Sequence, residues 1–206
     1  MFYTVRTPYL FKLLYRSCVW DMPRNSNKVY LSFDDGPHPE VTAFVLDLLR
    51  AYQAKGSFFC IGENVMKYPE MYRRIISEGH AVGNHTQHHK NGWKTSNKEY
   101  LDDIREAQQY IDSDLFRPPY GRVSFSQLRV IQQQMRFKPV MWSIVSGDFD
   151  TEISPERCAK NVLNNLKSGD IIVFHDSEKA SDRLKYALPL VLEEIRTRGW
   201  VAEKLQ

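Results

Sequence analysis

The chain has 206 residues, of which 42% are hydrophobic and 26% charged, enough for one domain to bury a core without disulfides or a structural metal. A formal net charge of +3, with acidic and basic residues interspersed, is too small to argue for a nucleic-acid or acidic-polymer partner. Three widely spaced cysteines, Cys18, Cys60 and Cys158, form neither a disulfide framework nor a cysteine zinc site and read as reduced, buried thiols.

Residues 1–25 read as an N-terminal extension, and 26–206 as the main domain. In the extension, apolar residues are broken by Arg6, Lys12 and Arg16, and no small-residue cleavage site follows. The expectation is a cytoplasmic chain without a signal peptide. Tyr9–Arg16 has the pattern of a basic amphipathic helix. It is expected to pack on the domain, with peripheral association at a membrane surface as the alternative. No apolar run approaches the roughly 18 residues of a membrane span.

Short apolar runs then alternate with segments of helical period. Val29–Phe33 is the first run, followed by a helix face at Val41, Phe44, Val45, Leu48 and Leu49. Ser57–Ile61 precedes a helix over Val65–Ser77. His80–Gly83 leads into a loop rich in His, Asn and Gly, and then a helix over about Lys98–Asp112. Leu115–Phe116 is ended by Arg117-Pro118-Pro119, and a helix around Ser126–Met135 follows. Pro139–Val145 is the fifth run, and Ser154-Pro155-Glu156 starts a helix with Ser as cap and Pro in the first turn. Asp170–Phe174, a helix over about Arg183–Arg198 and a last run Trp200–Leu205 complete the chain. Such alternation implies parallel strands joined by right-handed crossovers: an α/β fold of about seven strands, as a distorted barrel or an open sheet. No GxGxxG or Walker pattern follows the first strand, which argues against a nucleotide-binding open sheet.

The conspicuous polar residues sit just past strand ends: Asp34 and Asp35, His85 and His89, Arg117, Asp148, and His175. In barrels and open sheets alike, the carboxyl end of the strands carries the active site. Each group alone has a plain reading as a turn, a pair of solvated loop histidines or a surface ion pair. Their recurrence at successive strand ends does not. Asp35, His85 and His89 offer one carboxylate and two imidazoles, a set suited to zinc or another borderline divalent ion. Neighbours on a straight strand point to opposite faces, so Asp34 and Asp35 need the turn at Gly36-Pro37 to share a pocket. One carboxylate can then bind metal while the other takes a proton, with His175 as an acid on the opposite side.

Four motifs carry a family resemblance: Ser32-Phe33-Asp34-Asp35-Gly36-Pro37, His85-Thr86-Gln87-His88-His89, Arg117-Pro118-Pro119-Tyr120-Gly121 and Val173-Phe174-His175-Asp176. They resemble the polysaccharide deacetylases, carbohydrate esterase family four, from about Val29 to the C-terminus. The resemblance implies a TIM-barrel-like distorted barrel and an enzyme that removes N-acetyl groups from an amino-sugar carbohydrate. It makes Asp34 the catalytic base, and Asp35, His85 and His89 the ligands of one divalent metal, zinc first and cobalt or nickel as alternatives. Arg117 would orient Asp34, the Tyr120 backbone N–H would hold the oxyanion, Val173 would line the acetyl pocket, and His175 would be the general acid, kept protonated by Asp148. The implied partner is an N-acetylated carbohydrate, bound by a monomer.

The chain departs from the family at the fourth motif, where Val145-Ser146-Gly147-Asp148-Phe149 stands for Asp-x-x-Asp-Trp, and at Lys90. Trp93, Tyr120 and Phe149 are the candidates for stacking on a sugar ring, while Trp20, Trp142 and Trp200 read as core. The alternative activity is hydrolysis of an O-acetyl ester or a non-carbohydrate amide by the same groups. A catalytically dead binding domain would have lost a base, ligand or acid, and none is lost.

Overall fold

The computed structural model describes residues 3–206. Eight short strands are β1 (Lys28–Asp34), β2 (Gly56–Cys60), β3 (Ala81–Asn84), β4 (Leu115–Phe116), β5 (Lys138–Pro139), β6 (Ile144–Val145), β7 (Ile171–His175) and β8 (Val201–Ala202). The helices are α1 (Tyr9–Leu14), α2 (Val41–Ala51), α3 (Gly62–Lys67), α4 (Pro69–Ser77), α5 (Asn97–Gln108), α6 (Phe125–Gln133), α7 (Pro155–Leu163) and α8 (Ser181–Thr197). The sheet order is β5-β4-β3-β2-β1-β7-β6, with β8 added to the start of β1, and the paired strands are parallel.

The expected fifth run, Pro139–Val145, is two strands rather than one. β5 pairs with β4 at one edge of the sheet, and β6 pairs with β7 at the other. One stretch of chain therefore touches both edges and curls the sheet into a distorted barrel. Its main chain confirms the double role: Val140 N–H donates to Phe116 and Ser143 N–H to Ile171. The expected helix over Val65–Ser77 is also divided. Pro69 cannot continue a helix from α3, so Tyr68 leaves helical geometry and Pro69 opens α4 at its first turn. Ser154 and Pro155 open α7 as read, with the Ser154 hydroxyl accepting from Arg157 N–H.

Period-two alternation divides the central strands between two environments. Val29, Leu31 and Phe33 of β1, Phe58 of β2, and Ile172 and Phe174 of β7 pack in the main core with α2, α7 and α8. Tyr30, Phe59 and Ile171 join a separate interior cluster with Leu115, Val140 and Leu205. Ser32, Asp34, Val173 and His175 share the parity of that interior set. Register places Asp34 beside His175 on neighbouring strands, at the carboxyl end.

The extension is divided too. Its flanks join the sheet: Val145 donates to Val5, Thr7 to Ser143, Met141 to Val19 and Met22 to Gly169, while Cys18 and Trp20 are buried. The helix between them does not pack as expected, since α1 buries none of its residues. Among the described residues, no helix is long and apolar enough to cross a membrane.

Candidate active site

At the carboxyl end of the strands a cavity of 410 Å3 is lined by Asp34, Asp35, His85, His89, Tyr120, Val173, Phe149 and His175, among others. β1 ends at Asp34, and the next residue turns with φ 78°. That left-handed turn brings Asp35 into the cavity beside Asp34. It is clamped by Asp176, whose carboxylate accepts from Gly36 N–H at 3.1 Å and from the Thr42 hydroxyl at 2.5 Å. Glycine is required at position 36, because a Cβ there would lie 2.1 Å from the Asp176 carboxylate.

Arg117 is fully buried and spans the barrel interior. It donates to Asp34 at 2.7 Å, to the Ser32 hydroxyl at 2.8 Å, and to the carbonyls of Val140 and Met141 at 3.1 and 3.0 Å. Its guanidinium lies 4.0 Å over the Phe59 ring. Burial pushes the Asp34 carboxyl up, but the charge and hydrogen bond of Arg117, with the charge of His175, outweigh it and hold Asp34 below the usual carboxylate range. Asp34 is thus ionised and able to accept a proton.

The segment after β3 is a loop rather than a helical turn, with positive φ at Thr86 and His89. It is anchored by Asp103 of α5, a buried residue whose carboxylate accepts from the N–H groups of Gln87 and His88, each at 3.0 Å, and pairs with His88 Nδ1 at 2.7 Å. His88 therefore faces Asp103, away from the cavity, and His80 accepts from Gly56 N–H at 3.1 Å. His85 Nδ1 meets the Arg117 carbonyl at 2.8 Å, which fixes the proton there and leaves the Nε2 lone pair toward Asp35.

One carboxylate oxygen of Asp35, His85 and His89 converge, with ligand atoms all within 4.8 Å of one another. Asp35 Oδ1 lies 3.2 Å from His89 Nε2 and 3.7 Å from His85 Nε2. Burial lowers the pKa of both imidazoles, that of His85 to about 4, so near neutral pH both are uncharged. The buried Asp35 Oδ1 has no hydrogen-bond partner. The Asp35 oxygen and the His85 Nε2 lone pair thus face one another beside His89 Nε2, an arrangement that a divalent cation would satisfy. The donor set fits zinc, cobalt or nickel.

Across the cavity, His175 Nδ1 lies 2.8 Å from one Asp148 oxygen, and its own N–H donates to the other at 2.7 Å. Burial lowers the His175 pKa, but the charge and hydrogen bond of Asp148 dominate and raise it to about 10. Asp148 is fully buried, and Arg183 of α8 holds its carbonyl at 2.6 Å. Phe149 stands edge-on to His175, with centroids 5.1 Å apart, and edge-on to Tyr3 on its other side, also at 5.1 Å. Val145 faces Val173 in register, so an apolar wall stands where the family pattern has an Asp.

Tyr120 is half-exposed in a left-handed turn with φ 60°, and its ring packs 4.6 Å from His89. Trp93 does not line the cavity. Its Nε1–H donates to the Val123 carbonyl, and Arg122, which does line the cavity, stacks on its ring. Trp142, read as core, lines the cavity instead. Sequence reasoning missed Tyr3, Asp103 and Arg183, and placed Asp176 in a motif without giving it a role.

The polysaccharide deacetylase family profile matches residues 21–140. A peptidoglycan-N-acetylglucosamine deacetylase of Bacillus cereus is 32% identical over 187 residues, covering 88% of this chain and 87% of that protein. A chitooligosaccharide deacetylase of Azorhizobium caulinodans is 35% identical over 200 residues, covering 88% of this chain and 94% of the relative. The solved peptidoglycan N-acetylglucosamine deacetylase Bc1960, in complex with 4-naphthalen-1-yl-N-oxidanyl-benzamide, superimposes with a TM-score of 0.85 at 31% identity, covering 96% of this chain and 94% of that one. The barrel closed by one split run, the four strand-end motifs and these likenesses agree: the chain belongs to the polysaccharide deacetylase family.

Proposed function

We propose that the chain is a divalent-metal-dependent hydrolase that removes acetyl groups from the nitrogen of amino sugars in a carbohydrate, leaving acetate and a free amine. The observation that carries this reading is the pairing, across one cavity, of an ionised Asp34 and a protonated His175 with an unpartnered acceptor set between them. Asp35, His85 and His89 would hold the ion, which supplies Lewis acidity toward the acetyl carbonyl and makes water acidic enough to react near neutral pH. Asp34, kept ionised by Arg117, accepts the proton that water gives up as it attacks the carbonyl carbon. His175 uses Nδ1 to hold Asp148 and so presents Nε2–H to the cavity, where it protonates the departing sugar nitrogen as the C–N bond breaks. Val173 and Val145 offer an apolar wall for the acetyl methyl, and Phe149 and Tyr120 offer faces for sugar rings. The N-deacetylase names of the relatives support the substrate class.

The test is acetate release from N-acetylated chitooligosaccharides, peptidoglycan fragments and O-acetylated xylo-oligosaccharides, with zinc, cobalt, nickel or chelator. Release from an N-acetylated substrate is expected, lost with chelator and restored by metal. His89→Ala should lose both bound metal, read by elemental analysis, and activity. Full metal occupancy in that variant, or release indifferent to chelator, would overturn the assignment.

A further inference from the structure

α1 presents Tyr9, Leu10, Phe11, Leu13 and Leu14 to solvent, each between 50 and 78% exposed, and buries nothing. A contiguous apolar surface of that kind marks an interaction site. It continues onto α6: Tyr15 stacks on Phe125 at 4.8 Å, Phe125 is itself 61% exposed, and Gln132 donates to the Ser17 carbonyl. Phe125, Arg129 and Gln132 follow one another at helical spacing, so Arg129 lies on the same face, between the two contacts to the extension.

The charge pattern around this surface is one-sided. Neither residues 1–20 nor residues 115–147 contain an Asp or Glu, although the whole chain has 25. The exposed Arg16 and Arg129 have no carboxylate partner among the described residues, while Lys12 is paired with Asp21 at the edge of the patch. Exposed aromatic and aliphatic side chains set among cations with no intervening acid describe a surface complementary to anionic lipid headgroups above an apolar layer. A second copy of the chain is a poor occupant, because it would bring the unpaired Arg16 and Arg129 of one face against those of the other.

We infer that α1 and the adjoining face of α6 form a docking surface for an anionic lipid bilayer. The surface borders the cavity mouth: Tyr15 donates to the Val123 carbonyl that also accepts from Trp93, and Arg122 on the Trp93 ring lines the cavity. Docking would therefore hold the mouth at the headgroup layer, within reach of glycan displayed there. The inference stands on the apolar and charged surface and is independent of the reaction assigned to the cavity.

The test is co-sedimentation of the full chain with vesicles of phosphatidylcholine alone or with phosphatidylglycerol added. Binding to the anionic vesicles is expected to exceed binding to the neutral ones and to weaken with salt. Leu10→Glu with Leu13→Glu, and separately Arg16→Glu with Arg129→Glu, should each weaken it about tenfold or more. Melting temperature and acetate release from a soluble substrate should be unchanged in both, because the substituted side chains are exposed and lie outside the cavity. Failure to sediment with either vesicle, equal binding to both, or retained binding by the Leu10 and Leu13 variant would overturn the inference. So would a concentration-dependent dimer, read by light scattering, that this variant dissolves.

Discussion

His175 is a histidine whose charge is set chiefly by Asp148, with Asp35 and Asp34 adding to it. Burial alone would keep the ring neutral at physiological pH, and the Asp148 carboxylate reverses that, raising the pKa to about 10. A pKa raised on folding adds stability that is complete below about 6.5, the unfolded value, and is lost as pH rises through about 10. With His175 as the proposed acid, the same protonation would set the alkaline limb of activity, which a cation at Asp35, His85 and His89 would shift to lower pH by repulsion. Asp148→Asn should therefore move the alkaline limb down by a unit or more, measured as the pH profile of acetate release, while bound metal stays in place. His175→Asn should remove that limb and slow the reaction by about two to four orders of magnitude. An Asp148→Asn enzyme with the limb unmoved would make Asp148 a loop anchor only.

Helix α5 reaches the site through one side chain. Asp103 ties down two consecutive N–H groups and one imidazole of the loop between His85 and His89, so the spacing of these two histidines is fixed from outside the cavity. Asp103→Ala should weaken metal binding by about ten- to a hundredfold, as loss of a partner behind metal ligands generally does. Calorimetric titration of the metal-free protein measures this, and unchanged affinity would confine Asp103 to a structural role. Such contributions mark the boundary of what the sequence discloses. Strands and helices declared themselves through periodicity, and the site residues through their place after apolar runs. Asp103 lies mid-helix among other charged residues and resembles a solvated face. Tyr3 reaches the site across most of the chain length, and Arg183 from the first turns of α8, 35 residues from the Asp148 it holds, neither with a local signal. The division of Lys138–Val145 between two sheet edges was equally hidden, because an apolar run records burial and not the identity of its neighbours. Trp142, inside that run, turns toward the cavity for the same reason.

At the scale of the molecule, the buried Arg117–Asp34 pair joins β4, β1 and the stretch that closes the barrel. An uncompensated charge left there typically costs about 3–5 kcal/mol, so Arg117→Met should lower stability by that order. Chemical denaturation measures it, and a loss under about 1 kcal/mol would show that water or a neighbour compensates Asp34. Metal should act in the opposite sense. Binding at a hundred times Kd adds about 2.7 kcal/mol to the native state. For a domain of this size that raises Tm by roughly 5–10 °C. Identical melting curves with chelator and with added zinc would count against the Asp35, His85 and His89 site.

The central strand β1 takes its neighbours from opposite ends of synthesis: β2 follows it closely, but β7 and β8 come from residues 171–175 and 201–202. A nascent chain consequently emerges from the ribosome with Asp34, Asp35, His85 and His89 already made, yet with one flank of β1 unpaired and His175 still to come. Contacts of such long sequence separation form late and slow folding. A product of interrupted translation that stops before His175 would have β1 paired on the β2 flank only and would lack His175. Under the proposed chemistry, hydrolytic competence would therefore wait on synthesis beyond β7.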